Sequence, residues 1–428
     1  MTHLLDLPDD ALLAVLGFLP LRQLFACRRL RDLCLHRYLW RHVSLDGENE
    51  GVVRAALALA PCLKSIECSG PSAVQASRVK TTNCVVTRLT LFVSGQSNRM
   101  ALAIEMIQRL HALGGLRELR LTCTNRRTMT PLLQAVYDLR GLKTLLLDAT
   151  GAQECLPAAW CDREAEPSLS DLVFVSHTAN PFLQLLLKTH ASTLQNVRLL
   201  TGDHVPVSSL LNIPGLRCLR CSPNVDLSPF VALPSLRTIE LFDAEGYHRG
   251  ALQFLREASH LRSVRLWDCT DSVLLALGES PSAPLIEQLV FTFSKRPVLK
   301  ALSLALPKFH ALKVLDVQSE FFDSLDTVWQ VVCHEPTPRL ITLVVYPFVY
   351  GDGRCLHEWL HSRYVQDVLW TNPWLHLCVR AQNLRGRCNS CSWCLEDCHQ
   401  LLRRSAPRSF SSHSKKAGCP KDCFDITA

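Results

Sequence analysis

The chain has 428 residues, 48% hydrophobic and 20% charged, with 46 Lys and Arg against 39 Asp and Glu, a net charge of +7 at pH 7. That balance belongs to a folded chain and excludes a disordered one. Residues 380–428 hold nine Lys/Arg and four Asp/Glu, so +5 sits in the tail and about +2 in the other 379 residues, too little to point to nucleic acid.

Met1 to Asp10 carries three aspartates and neither Lys nor Arg, which is not the pattern of a secretory signal. The apolar runs, such as Leu12–Leu21 and Ala55–Ala60, are far shorter than the ~20 residues that cross a bilayer, so no membrane partner is expected. Many of the 20 cysteines, among them Cys68, Cys218 and Cys221, sit inside apolar runs. There a free thiol behaves as a small hydrophobe, which predicts a reduced cytoplasmic or nuclear protein.

Residues 1–46 predict a small all-α unit. Asp9 or Asp10 can cap a helix carrying Leu12, Leu13, Val15, Leu16 and Leu19, which surround most of it. A helix apolar nearly all round expects partners on more than one side, and a unit of this size does not bury itself.

From residue 40 to residue 378 one frame recurs: apolar, two residues, apolar, one residue, apolar. It runs through Leu63-Ile66-Cys68, Val86-Leu89-Leu91, Leu116-Leu119-Leu121 and onward to Leu340-Leu343-Val345 and Val365-Val368-Trp370. That makes thirteen units at steps of 20 to 30 residues, and Trp40-Val43-Leu45 fits 23 residues upstream. The alternating end of each frame predicts a short strand. Apolar helical stretches follow at 100–113, 131–140, 181–190, 251–259 and 297–309, several opening on proline. A lone strand and helix cannot bury both faces, so neighbouring units must stack. The expected fold is α/β: a leucine-rich-repeat solenoid (horseshoe), consistent with 77 leucines. The step from Leu216 to Leu236 contains Pro223, Pro229 and Pro234 and has no room for a full helix. Trp359, Trp370 and Trp374 are expected to close the last coil.

The residue between the last two apolar positions points away from the core. Down the ladder it reads Arg120, Leu146, Val173, Arg198, Arg220, Glu240, Arg265, Val290, Asp316 and Val344. The residue after the first apolar position reads Arg117, Lys143, Gln195, Arg217, Arg237, Arg262 and Lys313. Arg120, Arg198, Arg220, Arg237, Arg262 and Arg265 are the candidate substrate-binding residues, since guanidinium groups take carboxylate or phosphate bidentately. Glu240 interrupts the strip and can pair with either neighbouring arginine. The competing reading is an apolar surface made by Leu146, Val173, Val290 and Val344.

The tail, residues 379–428, is basic, rich in Ser and Arg, and expected to be disordered. Cys388, Cys391, Cys394 and Cys398 stand at spacings that chelate zinc and also fit an iron–sulfur cluster. Unligated thiols in a mobile tail are the simplest reading, with no cofactor. No Gly-rich phosphate loop, nucleophile elbow or HExxH helix is present, so no catalytic residue is assigned and an enzyme is not expected.

Leu7-Pro8, Leu12 to Leu19, Leu24, Cys27-Arg28-Arg29-Leu30, Leu33 and Leu39-Trp40 resemble an F-box, a motif that begins with Leu-Pro and ends with Leu-Trp. Joined to the repeats, the chain resembles the F-box/leucine-rich-repeat class of ubiquitin-ligase receptors. It departs from the family at Leu30, where a Trp is usual, and in a Leu24–Cys27 interval about one helical turn short. The resemblance implies that Leu7, Pro8, Leu12, Val15, Leu16, Leu19, Leu24, Leu39 and Trp40 contact a Skp-type adaptor. Through that adaptor the chain hangs on a cullin scaffold, while the repeats hold a protein substrate, acidic or phosphorylated in the arginine reading. The alternatives are a repeat scaffold acting without a ligase and a regulator sensing metal through its tail.

Overall fold

The computed structural model describes residues 35–46, 50–93, 97–123, 129–150, 166–200, 204–242, 246–293, 298–319, 331–332, 340–347, 356–379, 408–411 and 423–425. The chain divides into two compact units, residues 1–215 and 216–428.

The first unit is a parallel ladder of seven strands in chain order. These are β1 (Ser44–Leu45), β2 (Cys62–Cys68), β3 (Val85–Val93), β4 (Glu118–Cys123), β5 (Thr144–Asp148), β6 (Asp171–Val175) and β7 (Asn196–Leu200). Helix α1 (Arg37–Trp40) precedes it. Between the strands run α2 (Glu50–Leu59), α3 (Ala73–Thr81), α4 (Ser97–Ala112), α5 (Thr130–Tyr137) and α6 (Pro181–Thr189), and α7 (Val207–Leu211) follows β7. The register puts like positions of the frame side by side: Leu89, Leu119, Leu145, Leu172 and Val197 in one row, Leu91, Leu121, Leu147, Phe174 and Leu199 in the next. All ten are fully buried. Each contributes on the order of 2 kcal/mol of transfer free energy, which is why the frame keeps large aliphatic residues there.

The second unit repeats the arrangement with β8 (Cys218–Cys221), β9 (Thr238–Leu241), β10 (Ser263–Leu266), β11 (Gln288–Phe293), β12 (Val314–Ser319), β13 (Thr342–Pro347) and β14 (His376–Val379), all parallel. Helices α8 (Arg249–Glu257), α9 (Asp271–Glu279) and α10 (Val298–Ala305) lie side by side, and α11 (Leu356–Leu360) and α12 (Arg363–Thr371) precede β14. The short proline-rich step carries only a 3-10 turn, Ser228–Ala232, as its length requires. In the tail, β15 (Arg408–Ser411) pairs antiparallel with β14, and β16 (Cys423–Asp425) pairs with β15. Composition alone predicts disorder across these residues.

Local chemistry accounts for several boundaries. Asn180 caps α6 by accepting the Phe182 N–H, and Pro181 fills the first helical position, where no donor is needed. Ser72 and Gln75 form a reciprocal capping box on α3. The coils are joined by one recurring pattern, in which a carbonyl just before a strand accepts two successive N–H groups of the next coil. Arg117 O takes Lys143 and Thr144, Lys143 O takes Ser170 and Asp171, and Arg237 O takes Arg262 and Ser263.

Three expectations need correction. Val365, Val368 and Trp370 are not a strand; they lie on α12, and β14 supplies the last rung, with Leu377 beside Leu343. Trp370 is 87% exposed and Trp374 63%, so neither closes the coil, whereas Trp359 on α11 is buried. At the other end a first strand exists, but Leu45 pairs with Ile66 where the Trp40-Val43-Leu45 frame would set it against Cys68. Trp40 ends α1, so the strand starts later than the spacing suggests.

Candidate functional site: the outward rows of the strands

Alternation along each strand sends one row toward the helices and the other away. In the first unit the outward row is Thr90, Arg120, Leu146, Val173 and Arg198, each beside the next. Arg120 and Arg198 are exposed, and Leu146 and Val173 are half-buried. Arg120 pairs with Glu118 at 2.8 Å, and Glu118 also takes Arg88 at 2.6 Å. Arg198 has no ion pair among the described residues.

In the second unit the row is Arg220, Glu240, Arg265, Val290, Asp316, Val344 and Cys378. Glu240 is 5% exposed and lies between two arginines, 3.7 Å from Arg220 and 3.9 Å from Arg265. Arg220 also sits over two rings, 4.9 Å from the centroid of Phe242 and 5.1 Å from that of Trp267. Such stacking fixes a guanidinium and adds on the order of 1 kcal/mol. Val290, Asp316 and Val344 are all buried. The outward row is therefore accessible in the first unit and largely closed in the second beyond Arg265.

The candidate arginines thus have different surroundings. Arg237 donates to the His260 carbonyl at 3.2 Å. Arg262 and Lys313 share Glu287 at 2.8 and 2.7 Å. Hydrogen bonds from Lys313 and then Arg262 hold that carboxyl below its ordinary range. Phe242, Trp267, Glu118 and Glu287 are the residues that reading the outward row alone misses. A signal for the aromatics exists: the position after the last apolar residue of a frame faces the same way as the outward row, two residues on.

The cysteines behave as packing residues. The eight described ones are free, and seven are buried. Burial pushes the Cys68 thiol up to about 11 and Cys84, Cys123 and Cys221 up to about 12. Cys388, Cys391, Cys394 and Cys398 lie outside the described residues, as do Leu7, Pro8, Leu12, Val15, Leu16, Leu19 and Leu24. Leu39 and Trp40 are described: they are 8% and 0% exposed on α1, which packs on β2. Among the described residues, no helix is long and apolar enough to cross a membrane.

Residues 4–46 match the family model described as F-box-like. No curated protein matches the chain. Among solved structures it is similar to a chain of the crystal structure of a TLR13–ssRNA13 complex, at 15% identity and a TM-score of 0.27, over 71% of this chain and 47% of that one. The chain therefore spans about half the length of that solved chain, and a likeness at this score carries no argument about ligand or fold.

Proposed function

We propose that this chain is the substrate-recognition subunit of a Skp–cullin–F-box ubiquitin ligase, and that its strand ladders are a leucine-rich-repeat solenoid holding a protein substrate. In this reading the F-box-like segment binds a Skp-type adaptor, the adaptor joins the chain to a cullin, and the chain itself carries out no chemistry. The observation that carries the reading is continuity. The F-box-like match ends at residue 46 and so includes β1, whose Leu45 pairs with Ile66 of β2. The described end of the F-box-like match, residues 35–46, is thereby part of the ladder at its first rung. A receptor that must present a substrate at fixed reach needs such a joint.

Replacing Leu7 and Pro8 together with Ala tests it. Adaptor capture by the full chain should be lost, since Leu7 and Pro8 open the motif that would contact the adaptor. The far-UV circular dichroism of the ladders should stay unchanged. Capture that survives the double change, or that is absent in the intact chain, refutes the ligase reading and leaves a scaffold that binds partners without one.

A further inference from the structure

We propose that the first unit docks an extended peptide across strands β4–β7, and that this peptide carries two acidic residues four positions apart with an apolar residue midway. The proposal rests on the reading that the strands hold a protein substrate, and it does not depend on adaptor binding.

The argument starts from how charge is sorted on the strand face. The central row reads Arg120, Leu146, Val173, Arg198 across β4 to β7. The row on one side reads Glu118, Thr144, Asp171, Asn196, and the row on the other Thr122, Asp148, Val175, Leu200. Over these four strands the cations stand only in the central row and the acids only in the flanking rows. The flanking acids are held in place. Glu118 takes Arg88 and Arg120, Asp171 accepts from Asn196 Nδ2 at 2.6 Å and Ser170 Oγ at 2.5 Å, and Asp148 accepts the Thr150 N–H at 3.2 Å. An anionic side chain is therefore drawn to the central row and repelled on either side of it by Asp171 and Asp148, while Glu118 is neutralised by Arg88 and Arg120; attraction and repulsion together fix the peptide's track.

Between the two arginines lies an apolar centre. Leu146 and Val173 are half-buried, with Val175 and Leu200 beside them in the next row. Apolar centre and charged ends are the ordinary anatomy of a recognition surface. The second unit does not offer the same: a buried carboxylate, Glu240, stands in the central row itself between Arg220 and Arg265, whereas the Glu118 that Arg120 shares with Arg88 stands in a flanking row, and Val290, Asp316 and Val344 are buried.

Spacing then sets the peptide. Three strand steps of ~4.8 Å place Arg120 and Arg198 about 14 Å apart, and four residues of extended chain span about 13 Å. Alternate side chains of an extended peptide face the same way, so positions i, i+2 and i+4 meet the sheet. An acid at i reaches Arg120, an apolar residue at i+2 covers Leu146 and Val173, and an acid at i+4 reaches Arg198.

The test uses the full chain and fluorescein-labelled peptides of Ser with one Leu between two Asp, the separation of the acids varied from two to six positions. Fluorescence anisotropy should give tightest binding at four positions, weakening as salt rises. Arg120→Ala with Arg198→Ala should weaken that peptide about tenfold, the scale of two partly exposed charge pairs. Arg220→Ala with Arg265→Ala should change it less than twofold. Arg120→Glu with Arg198→Glu should lose the Asp peptide and gain one with Lys in both places, which shows that the altered face is still folded. Affinity indifferent to spacing, or to the Arg120 and Arg198 changes, or abolished by the Arg220 and Arg265 changes, overturns the proposal. Adaptor capture is measured on the same preparations. Capture lost with spacing-dependent binding kept refutes the ligase reading alone, and the converse refutes only the docking site.

Discussion

The end of the second ladder gives the sharpest test of the fold, because frame and structure assign it to different residues. Leu377 is fully buried on β14 beside Leu343, so Leu377→Ala removes a methine and two methyl carbons from a packed interior. The expected loss is ~2–5 kcal/mol, from transfer free energy plus the cavity left behind. Trp370 sits on α12 with 87% of its surface exposed, so Trp370→Ala removes almost no buried area. Ala also favours a helix over Trp by a few tenths of a kcal/mol, so the net change should stay within about 0.5 kcal/mol. Urea unfolding followed by far-UV circular dichroism reads both changes without relying on indole fluorescence, which Trp370→Ala alters by itself. A large loss from Trp370→Ala with little from Leu377→Ala would restore the thirteenth frame as a strand and refute the assignment of β14.

Two further outcomes follow from buried titratable groups. His190 is 6% exposed, its Nδ1 accepts the Ser168 N–H, and burial lowers its pKa to about 4. Between pH 6.5 and 4 the unfolded chain therefore binds a proton that the folded chain refuses, so stability is intact above pH 6.5 and falls on acidification. The loss is on the order of 3 kcal/mol, and His190→Gln should flatten the dependence of the urea midpoint on pH; an unchanged slope argues against a buried neutral imidazole. Cys68 and Cys221, buried and raised to about 11 and about 12, should resist iodoacetamide in the native protein at pH 7.5 and react after unfolding. Native alkylation of Cys221, read by mass spectrometry, would contradict the packing around β8.

Twelve of the frames, from Leu63-Ile66-Cys68 to Leu340-Leu343-Val345, coincide with strands β2 to β13, and the helices begin and end within a few residues of the expected stretches. That part is legible because a repeated period has only one way to bury its apolar residues, namely against its neighbours. The failure at Val365-Val368-Trp370 has an equally plain cause. A spacing of three serves the first step of the frame and also the face of a helix, and two residues cannot be told apart by it. Leu369, buried beside Val365 and Val368, gives the helical period away, and Trp370 one residue later then falls on the solvent side. The offset of β1 arises the same way: Trp40 is apolar because α1 packs on β2, so it occupies the frame's first position without belonging to a strand.

The arginine row shows where such legibility stops. Its members follow from alternation, and the register places them in one row of each unit, Arg120 and Arg198 three strands apart and Arg220 and Arg265 on either side of Glu240. Their availability depends on what lies one position away on three sides, which a linear frame does not display. Arg220 and Arg265 have the same spelling as Arg120 and Arg198, yet a single buried carboxylate, Glu240, serves both of the former. A carboxylate buried between two cations is costly to remove, because each cation then loses its counter-charge in a partly desolvated place. Two half-exposed arginines tied to it therefore gain less from an incoming anion than Arg198, which stands exposed with no ion pair among the described residues. The same reasoning ranks Arg262 low, since Glu287 already holds it together with Lys313. On the proposed docking track the same rule separates the two ends: Arg198 stands without an ion pair among the described residues, whereas Arg120 shares Glu118 with Arg88, so Arg198 should contribute more than Arg120 to holding an anion beside Leu146 and Val173.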